Sequence, residues 1–379
     1  MAGTGPDWQG LLKWSLSHSD GTSSARQLSD EDRKWFMEAM QEQTVDVIRR
    51  MKEISTVMNI PADVLQAQGV TDDDMEAILE ELQSHVESID MANDLHAIGG
   101  LLPLLTYLKN PNAGIRARAS EVVSTMVQNN PKCQQLVMEE RGLESLLSNF
   151  MSDPDVTVRT KSLGAISSLI RNNKPGVTAF RLGNGFMGLK NALVSKNLRL
   201  QRKGLQVLQY LLHENPNDNT IAADLGFVRL LTGLVTNTDA DIRQAALHTL
   251  VEMSQNGKLG GLAPASEDGT GIRQALASQI AKVESMQAEE LEPLKEERML
   301  LDTLWQACFD EPSSLREHGL VVLPGDIEPP PDVASELFEP PLRASAVLKQ
   351  RSEPQPEPAA QKPPLLLSGA PPPSSGASS

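Results

Sequence analysis

A glycine followed by apolar residues returns four times in this chain, at Gly100, Gly142, Gly185 and Gly226, in steps of 42, 43 and 41 residues. Two further markers keep that period. A branched residue precedes a polar one at Ile115-Arg116, Val158-Arg159, Leu200-Gln201 and Ile242-Arg243, and an asparagine closes each copy at Asn130, Asn173, Asn215 and Asn256. A unit of this length cannot bury its own apolar face, so copies must stack on their neighbours into a solenoid. Without the alternation of strands, the units are helical.

Repeats of this length are those of armadillo or HEAT units, and the expected fold class is all-α, a right-handed armadillo-like helical solenoid with a helical cap at each end. Hydrophobic residues make up 40% of the sequence and aromatics only 3%, which suits a core of aliphatic side chains between helices. The formal net charge of -16 excludes a whole-chain electrostatic footprint for nucleic acid. Two cysteines, Cys133 and Cys308, are too far apart for a metal motif and sit at helical spacing among apolar residues, as buried thiols do. The start MAGTGPDWQG has neither the basic region nor the apolar core of a signal peptide, and no apolar run approaches the roughly 20 residues of a membrane helix. The expected location is cytoplasmic, with nuclear access left open.

Along the chain, residues 1–27 read as a flexible amino-terminal segment with one apolar patch, Leu11, Leu12, Trp14 and Leu16. Residues 28–98 read as a helical cap. Phe36, Met40, Val47, Met51, Ile54 and Met58 share one face of a helix that begins after Ser29, and Thr71 followed by Asp72, Asp73 and Asp74 starts another. Residues 99–257 hold four repeats (99–141, 142–184, 185–225 and 226–257), each a short helix, a turn-rich loop and a longer helix. A carboxy-terminal cap spans 271–310. From 311 to 379, 15 of the chain's 25 prolines fall within 69 residues, as in a disordered Pro-rich tail.

No catalytic constellation is present, and the chain reads as no enzyme, with no cofactor and no metal. Gly183, Gly185 and Gly188 fit GxGxxG but lack the preceding strand and the later acidic residue, and Gly185 is already a repeat marker. The six histidines make no HExxH pair, and the three aspartates at 72–74 lack the glycine and distal glutamate of a calcium loop.

Stacked repeats align equivalent residues in rows, and the rows of the longer helices point to a binding groove. One row is Thr125, Ser168, Tyr210 and Glu252; a turn earlier lie Glu121, Gly164, Gln206 and His248; a turn later lie Gln128, Arg171, His213 and Gln255. This face is polar, whereas Val122, Val123, Ile166, Leu208 and Leu250 supply the buried side. Tyr210 and Arg171 are the expected anchors, because tyrosine and arginine dominate interface energetics.

Six stretches carry a resemblance to a known family: DWQGLLKWSLSHSDG (7–21), LSDEDRKWFMEAM (28–40), HVESIDMANDLHAIGGLLPLL (85–105), VVSTMVQNNP (122–131), LGAISSLIRNNKPGVTAF (163–180) and QYLL (209–212). Over roughly residues 7–310 the chain resembles the armadillo-type nucleotide exchange factors of heat-shock protein 70, the family of heat-shock-protein-70-binding protein, and looks most like the plant versions. The resemblance implies a co-chaperone that embraces the chaperone's ATPase domain with its concave face and promotes release of ADP and client. It implies that Leu11, Leu12, Trp14 and Leu16 imitate a client and help to expel it. The expected partner is that ATPase domain, bound by a monomeric chain, with no nucleic acid and no membrane. The alternative is a general armadillo scaffold for extended peptides, against which all four tryptophans, Trp8, Trp14, Trp35 and Trp305, lie outside the repeats.

Overall fold

A computed structural model describes residues 30–255 and 267–321, and the regular elements among them are all helical. The chain begins with α1 (Asp30–Met58), α2 (Ala62–Ala67) and α3 (Asp72–His85). Four triplets follow: α4 (Ile89–Ala97), α5 (Leu101–Tyr107) and α6 (Ala113–Val127); α7 (Pro131–Glu139), α8 (Gly142–Ser152) and α9 (Val156–Ile170); α10 (Lys174–Leu182), α11 (Gly185–Leu193) and α12 (Leu198–Glu214); α13 (Asp218–Asp224), α14 (Phe227–Leu234) and α15 (Ala240–Gln255). The chain continues with α16 (Glu267–Glu284), α17 (Ala288–Leu291), a 3-10 turn at Glu292–Leu294, α18 (Lys295–Phe309) and α19 (Ser314–Glu317).

Each unit thus holds three helices where the markers predicted two. Asn130 and Asn173 do not close a unit but open the next. Their side chains accept from the backbone N–H groups of Cys133 at 3.2 Å and Gly176 at 3.1 Å, and each is followed by a proline in the first helical turn. The residue before each, Asn129 and Asn172, stops the long helix by turning left-handed, at φ 52° and 55°. In sequence the two jobs look alike, because stops and caps both draw on Asn and Pro. Asn215 does end α12, while Asn256 lies outside the described residues.

The other markers have local causes. Ile115, Val158, Leu200 and Ile242 are buried, and the polar residue after each ties down the segment before the long helix. Arg116 Nη1 donates to the carbonyls of Asn110 and Pro111, both at 2.8 Å, and Arg243 Nη1 to those of Asn237 and Thr238 at 3.0 and 3.1 Å. Arg159 reaches the Phe150 carbonyl at 3.1 Å and Gln201 the Leu193 carbonyl at 2.8 Å, so carbonyls left open at the end of the second helix are satisfied.

The glycine marker merges two positions. A Cβ on Gly185 would lie 2.3 Å from the ring of Phe180, so this site needs close approach. Gly226 instead has φ 78° and occupies the left-handed turn one residue earlier, the place of Arg141 and Asn184 in the units before it. Hence the last step of 41. Phe180 is fully buried and meets Phe186 edge-on at 6.2 Å, so it has little room to yield. Gly185→Ala should therefore destabilise the fold by about 1–3 kcal/mol, read as a lower urea midpoint with an unchanged slope.

The long helices pack side by side as a ladder in the order α3, α6, α9, α12, α15, α18, so each cap adds a rung beyond the four repeats. Val122, Val123, Ile166, Leu208 and Leu250 form its buried side. Hydroxyl pairs stitch neighbouring rungs, Ser120 with Ser162 at 3.0 Å and Ser124 with Ser168 at 3.1 Å. Thr71 and Asp74 close a capping box at the start of α3, which accounts for the aspartate cluster as a helix start. In α1, Met51, Ile54 and Met58 are buried and Val47 packs on the core; Phe36 and Met40 lie outside the described side chains.

Two features anchor the carboxy-terminal cap. Buried Arg243 donates to both oxygens of buried Glu297, at 2.9 and 3.0 Å, and Gln279 donates to the same carboxylate at 2.8 Å. Fully buried Asp302 accepts from Ser313 N at 3.2 Å, Ser313 Oγ at 2.8 Å and the Arg316 guanidinium. Residues 311–321, assigned to the tail by their position, therefore fold against α18, with Leu315 buried. The sequence hid this because one aspartate supplies the attachment. The remaining tail and residues 1–27 lie outside the described residues.

Candidate functional site

The predicted groove residues all lie on the solvent side of the ladder, none of them buried. The strongest grouping is at the junction of α9 and α12. The Arg171 guanidinium stacks over the Tyr210 ring at 4.8 Å, while the Tyr210 hydroxyl accepts from Asn172 N–H at 2.9 Å and donates to the Ile170 carbonyl at 3.3 Å. Gln134 holds the end of α9 through the carbonyls of Ser168 and Arg171, both at 3.1 Å. The left-handed turn at Asn172 thus exposes the very N–H that positions the tyrosine.

Toward the amino end, Thr125 donates to the Glu121 carbonyl at 3.1 Å and accepts from Gln83 of α3 at 3.1 Å. Glu121 pairs with Arg118 at 3.1 Å and with Lys161. Toward the other end, His248 meets Glu296 of α18 at 2.8 Å, and His213 lies 3.7 Å from Glu252. Gln128, Gln206 and Gln255 are exposed, and Gly164 leaves open space on the face. The structure brings these residues onto one surface but not into one cluster. Sequence reasoning missed Gln83, Lys161, Lys203 and Glu296, of which Gln83 keeps the 42-residue step to Thr125 and could have been found by extending the register.

Neither cysteine contributes to this face chemically. Burial pushes the thiols of Cys133 and Cys308 up to about 11, so both stay protonated at neutral pH.

Comparison with known proteins places the chain. The family model described as nucleotide exchange factor Fes1 matches residues 8–95, and the SIL1/FES1/HPBP1 C-terminal domain matches residues 91–180. The Hsp70 nucleotide exchange factor FES1 of Gibberella zeae is 30% identical over 178 residues, an alignment that covers 45% of this chain and 79% of the fungal protein. The chain belongs to the Fes1 family. Hsp70-binding protein 1 of Mus musculus is 28% identical over 314 residues, covering 80% of this Fes1-family chain and 86% of the mouse protein. Among solved structures, a designed armadillo repeat protein superimposes with a TM-score of 0.53 at 14% identity, covering 68% of this chain and 99% of the design. That likeness gives the armadillo-type fold. The second of these models ends at residue 180, inside α10, so the Arg171 half of the stacked pair lies within it and Tyr210 beyond.

Proposed function

We propose that this chain is a co-chaperone that lays the solvent face of its ladder against the ATPase domain of Hsp70 and accelerates the release of ADP, and with it the release of client. The observation that carries this reading is the Arg171–Tyr210 stack, an aromatic held by two backbone hydrogen bonds beneath a cation on an open face. Such anchors lose little freedom on binding and concentrate interface energy. Exchange requires that the chain bind the open, nucleotide-poor chaperone more tightly than the closed ADP form, because only differential affinity shifts that equilibrium. The chain acts as a monomer in the cytoplasm, performs no chemistry of its own, and needs neither membrane nor nucleic acid.

The direct test is stopped-flow release of a fluorescent ADP analogue from a cytosolic Hsp70. Acceleration by the wild-type chain supports the reading; unchanged release at saturating chain removes it. A separate role falls to Leu11, Leu12, Trp14 and Leu16, outside the described residues, as a client mimic. Removing residues 1–27 should leave ADP release intact and slow the departure of a labelled client peptide; equal departure rates would discard that role.

A further inference from the structure

Five of the arginines and lysines on the ladder helices already have a carboxylate. Arg116 pairs with Asp153, Arg118 with Glu121 and Glu80, Lys161 with Glu121, Arg202 with Asp239 and Asp241, and Arg243 with Glu297. Arg159, which serves the Phe150 carbonyl, Lys295, Arg171, Arg199 and Lys203 form no ion pair with another described residue, in a chain whose formal net charge is -16. Of these, Lys203 feels the charge of Arg171 and stands one turn from Arg199. Arg199 and Lys203 stand one turn apart on α12, on the stripe that continues through Gln206, Tyr210 and His213. Arg171 comes from the end of α9, the adjacent rung, and is held over Tyr210.

Lys203 is half-buried, and burial together with the Arg171 charge holds its ammonium below the usual lysine range. A partly desolvated ammonium beside a second cation is an arrangement that an incoming anion relieves. There is also room for one. In the row that contains Gln206, α9 carries Gly164 where the flanking rungs α6 and α12 carry Glu121 and Gln206, and a Cβ built there meets nothing within 4 Å.

We infer that α12 and the end of α9 form a receiving site for a carboxylate of the bound protein, an Asp or Glu side chain entering beside Lys203 between Arg171 and Arg199. The inference rests on the reading of the ladder as the Hsp70-binding face and names the chemistry that face recognises. A carboxylate fits better than a nucleotide phosphate. The cations are spread along one rung of an extended polar face, and no glycine-rich loop presents backbone N–H groups beside them. Complementary charge at such a place sets register and speeds encounter.

The test measures binding of the Hsp70 ATPase domain to the full chain by surface plasmon resonance at about 50 and about 300 mM salt. The chains compared are wild type, Lys203→Met, Arg199→Gln and Arg229→Gln. Arg229 is an exposed residue of α14, off the ladder, and its variant makes the same change in net charge. Lys203→Met keeps the aliphatic stem, and the exposed Arg199 tests the site without touching packing. We expect roughly tenfold weaker binding for Lys203→Met, about threefold for Arg199→Gln, no change for Arg229→Gln, and a shallower salt dependence in the two ladder variants. Equal affinity in all four chains, or equal loss from Arg229→Gln, overturns the carboxylate site while leaving the Hsp70 reading intact. A wild-type chain that does not bind overturns that reading first. Competition by inorganic phosphate at low millimolar concentration in the wild type, absent in Lys203→Met, would show a free-phosphate site and overturn the protein carboxylate.

Discussion

In stopped-flow release of a fluorescent ADP analogue from Hsp70, an Arg171→Glu, Tyr210→Ala double variant should lose the acceleration that the wild-type chain provides. A hundredfold acceleration corresponds to about 2.7 kcal/mol off the barrier. Truncating one central aromatic anchor and reversing one central charge each typically cost about 2 kcal/mol or more at an interface, so together they remove an effect of that size. The two changes belong in one variant because the side chains stack on each other at 4.8 Å, and their effects will not add. Tyr210 also ties α12 to the end of α9, so thermal melting must accompany the kinetics. A folded double variant that still accelerates release at wild-type concentrations would move the binding site elsewhere on the chain.

The second large effect is on stability. Glu297→Ala should cost about 3–5 kcal/mol, because it leaves the buried Arg243 guanidinium and the Gln279 amide without their carboxylate. Replacing the pair together, as Arg243→Met with Glu297→Leu, should recover much of that loss by removing both charges from the interior. In a solenoid the damage stays local, since each unit is supported by its neighbours alone. Amide exchange should accordingly rise in α16 and α18 far more than in α6 or α9. Uniform exchange across the chain would mean that the network is not what docks the cap. Because Glu296 on the same turn reaches His248, loss of the cap also shortens the proposed binding face by one rung.

The lesson about legibility follows from those two sites. The repeat, the all-helical class and the polar rows could be read directly, because in a stacked array sequence period and spatial contact are the same thing. Ser120 meets Ser162 across 42 residues and Gln83 meets Thr125 across 42, each a copy of the repeat step. The rows needed only that step, and none of their residues is buried.

Tertiary structure decided whatever breaks the period. The first helices of the second and third triplets were hidden because Asn130 and Asn173 can stop a helix or cap one, and only backbone hydrogen bonds distinguish the two. The fourth glycine took the left-handed turn rather than the close contact, a difference of one residue that composition cannot reveal. The carboxy-terminal cap became a rung of the ladder through a pairing with no repeat partner, Arg243 with Glu297, and Asp302 with Ser313 and Arg316 carried the fold beyond it. Sequence by itself determined what stacks on what, because neighbouring repeats obey one local rule. Where the array ends, and which charges remain unpaired on its face, depended on side chains meeting across distances that follow no rule of spacing.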